Sequence, residues 1–463
     1  MDEKLRRDIE EFVAANESGI FADIARLVAI NSENAPARPG MPFGEGPARA
    51  LDAALDIARG MGLDTVNCEG MIGYAQLGEG GRDFKDYIAT ITHLDVVPAG
   101  DGWDADPFTM RERDGWILGR GVMDDKGPSV LCLYALKYLK EKNVPLRYPV
   151  RALLGVNEEL GMGDVEYYLA NFPAPLFCFS PDANFPLCNG EKGIYHGRII
   201  SNVPMQNVID IKGGLAANAI PDRAEARVRA QKLESRGRVT ATDEGGGVWH
   251  LCATGIGGHA SMPAGTINAI GELVDYIIDN GVAGGDEEKF LRFLSHIHHA
   301  PDGSEAGIAA SDGIFDPLTV VCGVIGVEDG RMFQTIDSRY PTNMSGQKIA
   351  GILRSLAQDC AEITVERDTE PFYMPTDKPE VQVCINAYND VTGENAKPYT
   401  IGGGTYARDF PNAVSFGPEH PERPAPDFAG SIHGVDEAAC KEWFLEALKV
   451  YILALIELEK LEF

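Results

Sequence analysis

An alternation of strand and helix patterns between about residue 63 and Asp182 most limits what this chain can fold into. Apolar, β-branched runs that suit buried strands are followed in turn by segments that suit helices. Before this region, residues 1–62 carry two consecutive helical patterns and, after a Pro/Gly-rich loop, a third. This order predicts an α/β fold, with a mainly parallel or mixed sheet that has helices on both faces.

The stretch GRGVMDDKGP, from Gly119 to Pro128, places Asp124 in a turn between a strand pattern and a helix pattern. Gly127 and Pro128 suit the start of a helix, and SVLCLYALKYLKEKN follows with apolar residues at helical spacing. A carboxylate in front of a helix lies near the positive end of the helix dipole, which favours its ionised form. Asp124 is therefore a candidate metal or substrate ligand, and an ordinary helix cap is the alternative.

Other residues that commonly bind metals follow apolar strand patterns, and one more precedes a helix near the C-terminus. They are His93 and Asp95 in YIATITHLDVVPAG, Glu158 and Glu159 in YPVRALLGVNEELGMGD, Asp182 in LFCFSPDANFP and His433 in SIHGVDEAA. Because side chains two apart on a strand share a face, His93 could bind a metal while Asp95 orients it. Adjacent carboxylates diverge, so Glu158 and Glu159 suit one non-ligand base and one ligand.

Open α/β sheets keep their binding sites at strand ends, which is where these residues lie. Taken singly, a strand histidine is more often a core residue, and an acid more often ends a solvated loop. As a set, five nitrogen or oxygen ligands with no cysteine fit two divalent ions that share one carboxylate. The predicted metal ligands are His93, Asp124, Glu159, Asp182 and His433. Zinc is our preferred assignment, and Mn²⁺ or Co²⁺ would suit the same ligands.

Several motifs together resemble those of the two-metal aminoacylase, carnosinase and glutamate carboxypeptidase family, most of all its PepV-type bacterial dipeptidases. They are HLDVVPAG, GRGVMDDKGP, NEELG, SPDANFP with NGEKG after it, GGHASMP and the late His433. The resemblance runs in order from about Asn31 to the C-terminus. It implies that one metal is bound by His93 and Asp182, the other by Glu159 and His433, and that Asp124 bridges them.

The resemblance also implies a reaction. Glu158 would be the general base that activates a metal-bridging water, and Asp95 would support His93 from behind. The predicted function is therefore a metal-dependent dipeptidase that hydrolyses short peptides with a free C-terminal carboxylate. The same ligands would serve an N-acyl or N-succinyl amino acid deacylase or a carboxypeptidase, because specificity lies in pocket contacts. A catalytically silent metal-binding protein is a further alternative, whereas a nucleotide-binding protein lacks support because there is no Walker loop.

The strand and helix alternation stops after about Pro186 and resumes near Glu380. We predict a catalytic domain in two parts, residues 1–186 and 383–463, interrupted by an inserted lid domain at 187–382. The insertion accounts for the distance in sequence between His433 and the other ligands. The expected fold is a mixed-sheet αβα metallopeptidase catalytic domain with an inserted α+β lid. By resemblance, an insert of this length acts within one chain, which predicts a monomer.

The insert contains further candidates whose roles come from the resemblance. His259 in GGHASMP would donate to the oxyanion of the tetrahedral intermediate. Asn218 and Arg339 would hold the substrate's C-terminal carboxylate, the arginine through two hydrogen bonds. After the insert, the glycine turn GGGTYAR would offer backbone N–H groups to the substrate at Gly404 and Thr405. Each of these residues is also common in purely structural positions.

The net charge limits which kinds of partner the protein can bind, and the cysteines indicate its cellular compartment. The chain has 41 Lys and Arg against 70 Asp and Glu, a net charge of −29, which argues against nucleic acid or an anionic membrane as a partner. The nine cysteines are scattered, with no CxxC pair, as is usual in the reducing cytosol. No apolar run reaches the roughly 18 residues of a membrane span. We therefore predict a soluble, cytoplasmic protein.

Overall fold

The computed structural model describes all 463 residues of the chain. The helices are α1 (Glu3–Val28), α2 (Glu45–Gly60), α3 (Lys126–Glu141), α4 (Gly163–Asn171), α5 (Ala269–Asp279), α6 (Gly285–His299), α7 (Gly346–Ala357), α8 (Pro379–Thr392) and α9 (Lys441–Leu458). The first nine strands are β1 (Asp64–Cys68), β2 (Ile72–Leu77), β3 (Ile88–His93), β4 (Arg111–Arg113), β5 (Trp116–Leu118), β6 (Val150–Gly155), β7 (Phe177–Ser180), β8 (Ala183–Asn184) and β9 (Cys188–Glu191).

The remaining strands follow in chain order. They are β10 (Gly193–Ser201), β11 (Val208–Gly213), β12 (Ala219–Ile220), β13 (Arg223–Arg229), β14 (Val239–Gly245), β15 (Val248–Thr254), β16 (Gly258–His259), β17 (Thr319–Val321), β18 (Ile325–Glu328), β19 (Arg331–Tyr340), β20 (Ala361–Thr369), β21 (Phe372–Tyr373), β22 (Tyr399–Ile401), β23 (Ala413–Ser415), β24 (Pro418–Glu419) and β25 (Ala438–Cys440).

The chain divides into two compact units. Unit 1 comprises residues 1–189, 373–399 and 404–463, and unit 2 comprises residues 190–372 and 400–403. The domain boundaries inferred from sequence, at residues 186 and 382, remain a prediction. No helix in the chain combines the length and apolarity that crossing a membrane requires.

The main sheet of unit 1 has the strand order β1-β2-β6-β3-β7-β23. The pairs β3–β6, β3–β7 and β7–β23 are parallel, whereas β1–β2 and β2–β6 are antiparallel. Every residue of β3, β6 and β7 is buried, which is why these strands are almost continuously apolar in sequence. The predicted mixed α/β sheet is confirmed.

Helices cover both faces of this sheet, as the contacts of two consecutive residues of β2 show. A Cβ atom added to Gly73 would lie 2.7 Å from Leu51 of α2. The ring of the next residue, Tyr74, packs edge-on against Phe172, which follows α4. Because successive side chains of a strand point to opposite faces, α2 and α4 lie on opposite sides of the sheet.

Two helices differ in extent from the sequence prediction. Helix α1 is continuous over 26 residues, where two consecutive helices were predicted. Phe12 and Val13 lie two helical turns from Ile20 and Phe21 on the same buried face, and the residues between them include no proline. Helix α3 begins at Lys126, so that Pro128 lies inside its first turn. Proline is tolerated there because the first backbone N–H groups of a helix have no partner within the helix.

Unit 2 contains an antiparallel sheet with the strand order β14-β15-β13-β11-β18-β19-β10-β20. Helices α5, α6 and α7 contribute buried apolar residues to one core with this sheet, among them Ile270, Phe290 and Ile349. An antiparallel sheet with separate helices is an α+β arrangement.

Candidate metal centre

Three strand ends meet at one edge of the unit 1 sheet. Strand β3 ends at His93, which pairs with Gly155 at the end of β6. The loop after β6 carries Glu158 and Glu159, and the loop after β7 carries Asp182. Parallel neighbours bring their carboxyl ends to the same edge, so these loops lie side by side.

Asp124 lies between the two histidines. Its Oδ1 is 2.8 Å from His93 Nε2, and its Oδ2 is 2.8 Å from His433 Nε2. Asp182 Oδ2 lies 3.8 Å from His93 Nε2, and Glu159 Oε1 lies 3.2 Å from His433 Nε2. All five predicted ligands therefore converge, in two groups that meet at Asp124.

The tautomer of His93 follows from its contacts. Its Nδ1 is 3.0 Å from the carbonyl oxygen of Asp95, and because a carbonyl only accepts, Nδ1 carries a proton and donates it. The His93 backbone N–H donates to Asp125 Oδ2 at 3.1 Å, and its carbonyl accepts from Ser129 Oγ. With Nδ1 protonated, a neutral imidazole has its lone pair on Nε2, the nitrogen that faces Asp124 and that would bind a metal ion.

The Asp95 carboxylate mainly supports the loop after β6. Its Oδ1 accepts from the Glu158 N–H at 3.1 Å and its Oδ2 from the Glu159 N–H at 3.2 Å. The side chain of Asn34 donates to the same Oδ2 at 2.9 Å. Asp95 Oδ1 is 3.5 Å from His93 Nδ1, so its backbone carbonyl makes the closer contact with the imidazole.

Asp164, at the start of α4, binds the first residues of the same loop. Its Oδ2 accepts from the backbone N–H groups of Val156 and Asn157 at 2.6 and 2.9 Å, and the Tyr406 hydroxyl donates to it. The Tyr406 ring also packs edge-on against His93. Burial raises the pKa of Asp164 to about 6, against the opposing effect of these hydrogen bonds.

Negative charge is concentrated at this centre. Burial, followed by the charge of Asp124, raises the pKa of Asp182 to about 7. Burial and the charge of Asp182 raise the pKa of Glu158. The neighbouring carboxylates of Asp124 and Glu159 raise the pKa of His433 to about 11. Carboxylates that raise one another's pKa are unfavourable as a group of negative charges, and a bound cation would neutralise them.

The unpaired atoms of the centre fit metal ligation. Two buried atoms, His93 Nε2 and Glu159 Oε1, make no hydrogen bond, although each lies near another polar side chain. Buried polar atoms without partners are uncommon in proteins. His93, Asp124 and Glu159 each offer a ligand atom, and these atoms lie within 4.8 Å of one another. The oxygen and imidazole donors present therefore suit a divalent ion.

Three predicted substrate residues lie in unit 2. His259 is in β16, where it pairs with Ala219 of β12, and the Asn218 carbonyl accepts from the Ala260 N–H at 2.9 Å. The Ser261 N–H donates to His259 Nδ1 at 3.2 Å, which leaves the proton on Nε2 in the neutral ring. Burial and the nearby Arg339 lower the pKa of His259. Arg339 lies near the end of β19, almost fully buried.

Gly404 and Thr405 lie in unit 1, just before a 3₁₀ turn, Tyr406–Asp409. Thr405 Oγ1 accepts from the Ala407 N–H at 3.1 Å and lies 2.8 Å from Ser415 Oγ. A Cβ atom at Gly404 would lie 2.5 Å from Arg408 Nη1. Because this atom is at the far end of a flexible side chain, a larger residue at position 404 would displace the Arg408 guanidinium group.

Residues 89–457 match the family described as peptidase family M20/M25/M40. The chain belongs to this peptidase family. It is therefore a hydrolase that acts on peptide bonds, and the predicted family resemblance is confirmed. The M20 family is one of metallopeptidases, so the chemistry of this chain uses divalent metal ions.

Two curated relatives align over almost the whole chain. It is 32% identical to the putative dipeptidase YtjP of Bacillus subtilis, over 97% of this chain and 99% of the relative. It is 30% identical to the Beta-Ala-Xaa dipeptidase of Lactobacillus delbrueckii subsp. lactis, over 98% of each. Among solved structures, human carnosine dipeptidase 1 shares the fold, with a TM-score of 0.60 at 15% identity, covering 99% of this chain and 100% of that one.

Several residues that support this M20 centre were missed by the sequence reasoning. Glu437 accepts the backbone N–H of Asp124, and Asn34 holds Asp95. Burial and the charges of Asp124 and Asp182 raise the pKa of Glu419 to about 8. The available signal was an acid beside an apolar run, as Glu437 stands before β25, but such an acid usually ends a solvated loop.

Proposed function

We propose that this chain is a metal-dependent dipeptidase that hydrolyses short peptides with a free C-terminal carboxylate. The observation that carries the proposal is the position of Asp124, whose two oxygens each lie 2.8 Å from a different histidine. A carboxylate that faces two imidazoles in this way suits a bridge between two ions. The relatives named as dipeptidases support the choice of substrate.

We propose two ions in each chain. His93 and Asp182 would hold one, Glu159 and His433 the other, and Asp124 both. Zinc is our first choice, because it combines imidazole and carboxylate ligands. Mn²⁺ and Co²⁺ suit the same donors.

Bound ions would supply Lewis-acid activation of a water molecule and of the scissile carbonyl. In our proposal Glu158 takes the proton from the attacking water and returns it to the leaving amine. Two observations support this role. The backbone of Glu158 is fixed by Asp95, and burial raises the pKa of its carboxyl, which suits a group that must both take and release a proton.

The residues of unit 2 would bind the rest of the substrate. His259 would donate from Nε2 to the oxyanion, which its contacts with Ser261 support because they keep the proton on that nitrogen. Asn218 and Arg339 would bind the C-terminal carboxylate. The glycine turn at Gly404 and Thr405 would add backbone N–H groups.

The test is the release of free amino acids by chelated protein supplied with Zn²⁺, Mn²⁺ or Co²⁺. The panel contains α-dipeptides, β-alanyl dipeptides, and N-acetyl and N-succinyl amino acids. Metal-dependent cleavage of free-amine dipeptides with refusal of acylated substrates is the expected result. Preference for acylated substrates would favour a deacylase, and two bound ions without turnover would favour a silent protein.

We also propose a cytoplasmic, monomeric protein. No disulfide joins any of the nine cysteines, which suits a reducing compartment. The monomer rests on the length of the insert by comparison with PepV-type enzymes. A light-scattering mass of two chains would contradict it.

A further inference from the structure

The buried Glu437 carboxylate lies directly beneath the turn that carries Asp124. It is 0% exposed and accepts three backbone N–H groups of that turn. The donors are Gly121, 3.1 Å from both oxygens, Met123 at 3.0 Å and Asp124 at 3.2 Å. Glu437 is 313 positions away from Asp124 in sequence, but it follows His433 by four residues.

Arg120 connects the same carboxylate to the backbone of His433. Its Nη1 donates to Glu437 Oε2 at 2.7 Å, and its Nη2 donates to the His433 carbonyl at 3.3 Å. Arg120 is 1% exposed. The Glu437–Arg120 pair therefore contacts the backbone of both Asp124 and His433.

These contacts coincide with an unusual backbone conformation. His433 has a φ of 59°, in the left-handed region that non-glycine residues rarely adopt. A residue persists there when its surroundings determine its conformation. The Arg120 hydrogen bond to the His433 carbonyl is one such constraint, and it acts next to the 2.8 Å approach between His433 and Asp124.

We propose that Glu437 and Arg120 are positioning residues that set the spacing of Asp124 and His433, and so the affinity and ligand geometry of the ion bound beside His433. This inference rests on the metal centre of the proposed function. Neither side chain forms a hydrogen bond or an ion pair with the five candidate ligand side chains, and their hydrogen bonds to Asp124 and His433 are to the backbone. The effect of changing them is expected mainly on that one ion.

Only a carboxylate can accept all the hydrogen bonds that Glu437 receives. Its two oxygens accept from three N–H groups and an arginine at once. Glu437→Gln replaces one oxygen with an NH₂ group, which places a donor against other donors in a buried site. Loss of a partner that orients metal ligands typically lowers metal affinity about 10–100-fold.

Unit 2 offers a matched control. Glu287 is also 0% exposed and accepts from the backbone N–H groups of Gln206, Asn207 and Val208 at 2.7, 3.0 and 3.1 Å. Glu287→Gln therefore causes the same chemical change in a similar environment. It disturbs no candidate metal ligand.

The experiment measures metal affinity by chelator competition, together with the visible absorption of the Co²⁺-loaded full chain and the thermal unfolding of the metal-free chain. We expect Glu437→Gln to weaken one of two ions about 10–100-fold and to change the Co²⁺ absorption. Glu287→Gln should keep the affinity and spectrum of the unchanged protein. Unchanged affinity and spectrum in Glu437→Gln, or equal loss in Glu287→Gln, would overturn the inference.

If Glu437→Gln does not fold, Arg120→Lys tests the same positioning role. It keeps the charge but loses the fork that contacts both Glu437 and His433. A weakened ion with an altered Co²⁺ spectrum is expected, and an unaltered ion would overturn the inference. A protein that binds two ions but cleaves no dipeptide would refute the proposed function without affecting this result.

Discussion

Asp337 binds one edge of the Arg339 guanidinium group, with its oxygens 2.7 Å from Nε and 2.9 Å from Nη2. His196 Nε2 lies 2.7 Å from the same carboxylate, and Arg339 Nη1 donates to the Gly402 carbonyl at 3.0 Å. Burial would raise the pKa of Asp337, but its contacts with His196 and Arg339 lower it. A substrate carboxylate that makes two hydrogen bonds to Arg339 must therefore use the Nη1–Nη2 end.

Replacing Arg339 with lysine is expected to raise KM for dipeptides roughly tenfold or more, since a hydrogen bond to a charged group contributes about 1.5–3 kcal/mol. Lysine keeps the charge but lacks the planar fork that binds Asp337 on one edge and leaves two N–H donors for a substrate carboxylate. The measurement compares KM for a dipeptide and for its C-terminal amide. An equal rise in KM for both substrates would contradict carboxylate recognition by Arg339.

Glu158→Gln is expected to lower kcat by at least about 10²-fold, the usual contribution of a general base. The variant should keep its metal ions, because the candidate ligand side chains are unchanged. Metal content and kcat are measured together, with Glu166→Gln, an exposed carboxylate on α4, as the control. Retention of most activity would exclude Glu158 as the base.

Asp124→Ala should lose both activity and bound metal, because both halves of the centre meet at this side chain. A ligand present at about 100 times its Kd stabilises a protein by about 2.7 kcal/mol. A chelator should therefore lower the unfolding temperature of the unchanged protein and of Asp101→Ala, an exposed control. Asp124→Ala should unfold at the same temperature with and without chelator, and a chelator effect in this variant would refute the bridging role.

Stability should fall in acid because of His298 in unit 2. Burial lowers the pKa of this histidine to about 4, against the opposing effects of Gln334 and Asp275, and its Nε2 lies 3.4 Å from Gln334 Oε1. The unfolded chain therefore binds the proton first, between pH 6.5 and 4. The free energy of unfolding should decrease by about 3 kcal/mol from this group as pH falls through that window.

The measurement is urea unfolding at several pH values for the unchanged protein and for His298→Asn. The variant should show a shallower pH dependence, because asparagine does not titrate. His296→Asn serves as the control, since His296 is exposed on the same helix. A slope identical to that of the unchanged protein in His298→Asn would contradict the prediction.

Local patterns were sufficient for much of unit 1. Strands β3, β6 and β7 are buried on both faces, so each is a continuous apolar run, and His93, Glu159 and Asp182 could be placed at or just after strand ends. The extent of helix α1 was not predictable in the same way. Whether two helical patterns join depends on what they pack against, and Phe12 of α1 packs against Tyr138 of α3.

Contacts between residues remote in sequence were not predictable. Asp95 was expected beside His93, and its Oδ1 lies 3.5 Å from His93 Nδ1, but nothing in the sequence indicated that the same carboxylate accepts the N–H groups of Glu158 and Glu159. Asn34 and Asp337 gave no signal, because a polar residue in a loop or on a strand has no local feature that names its partner. Hydrogen-bond direction and distance depend on the packed backbone.

Apolar periodicity and residue chemistry are local properties, so they were enough to predict the strand and helix alternation of unit 1 and the side chains that can bind a metal. They could not predict that Asp124 and His433 approach to 2.8 Å, that Glu437 and Arg120 bind the backbone of both residues, or that Asp337 occupies one edge of Arg339. The first two relationships depend on the packing of segments more than 300 residues apart. No local pattern encodes that packing, because each segment acquires its partners only when the whole core forms.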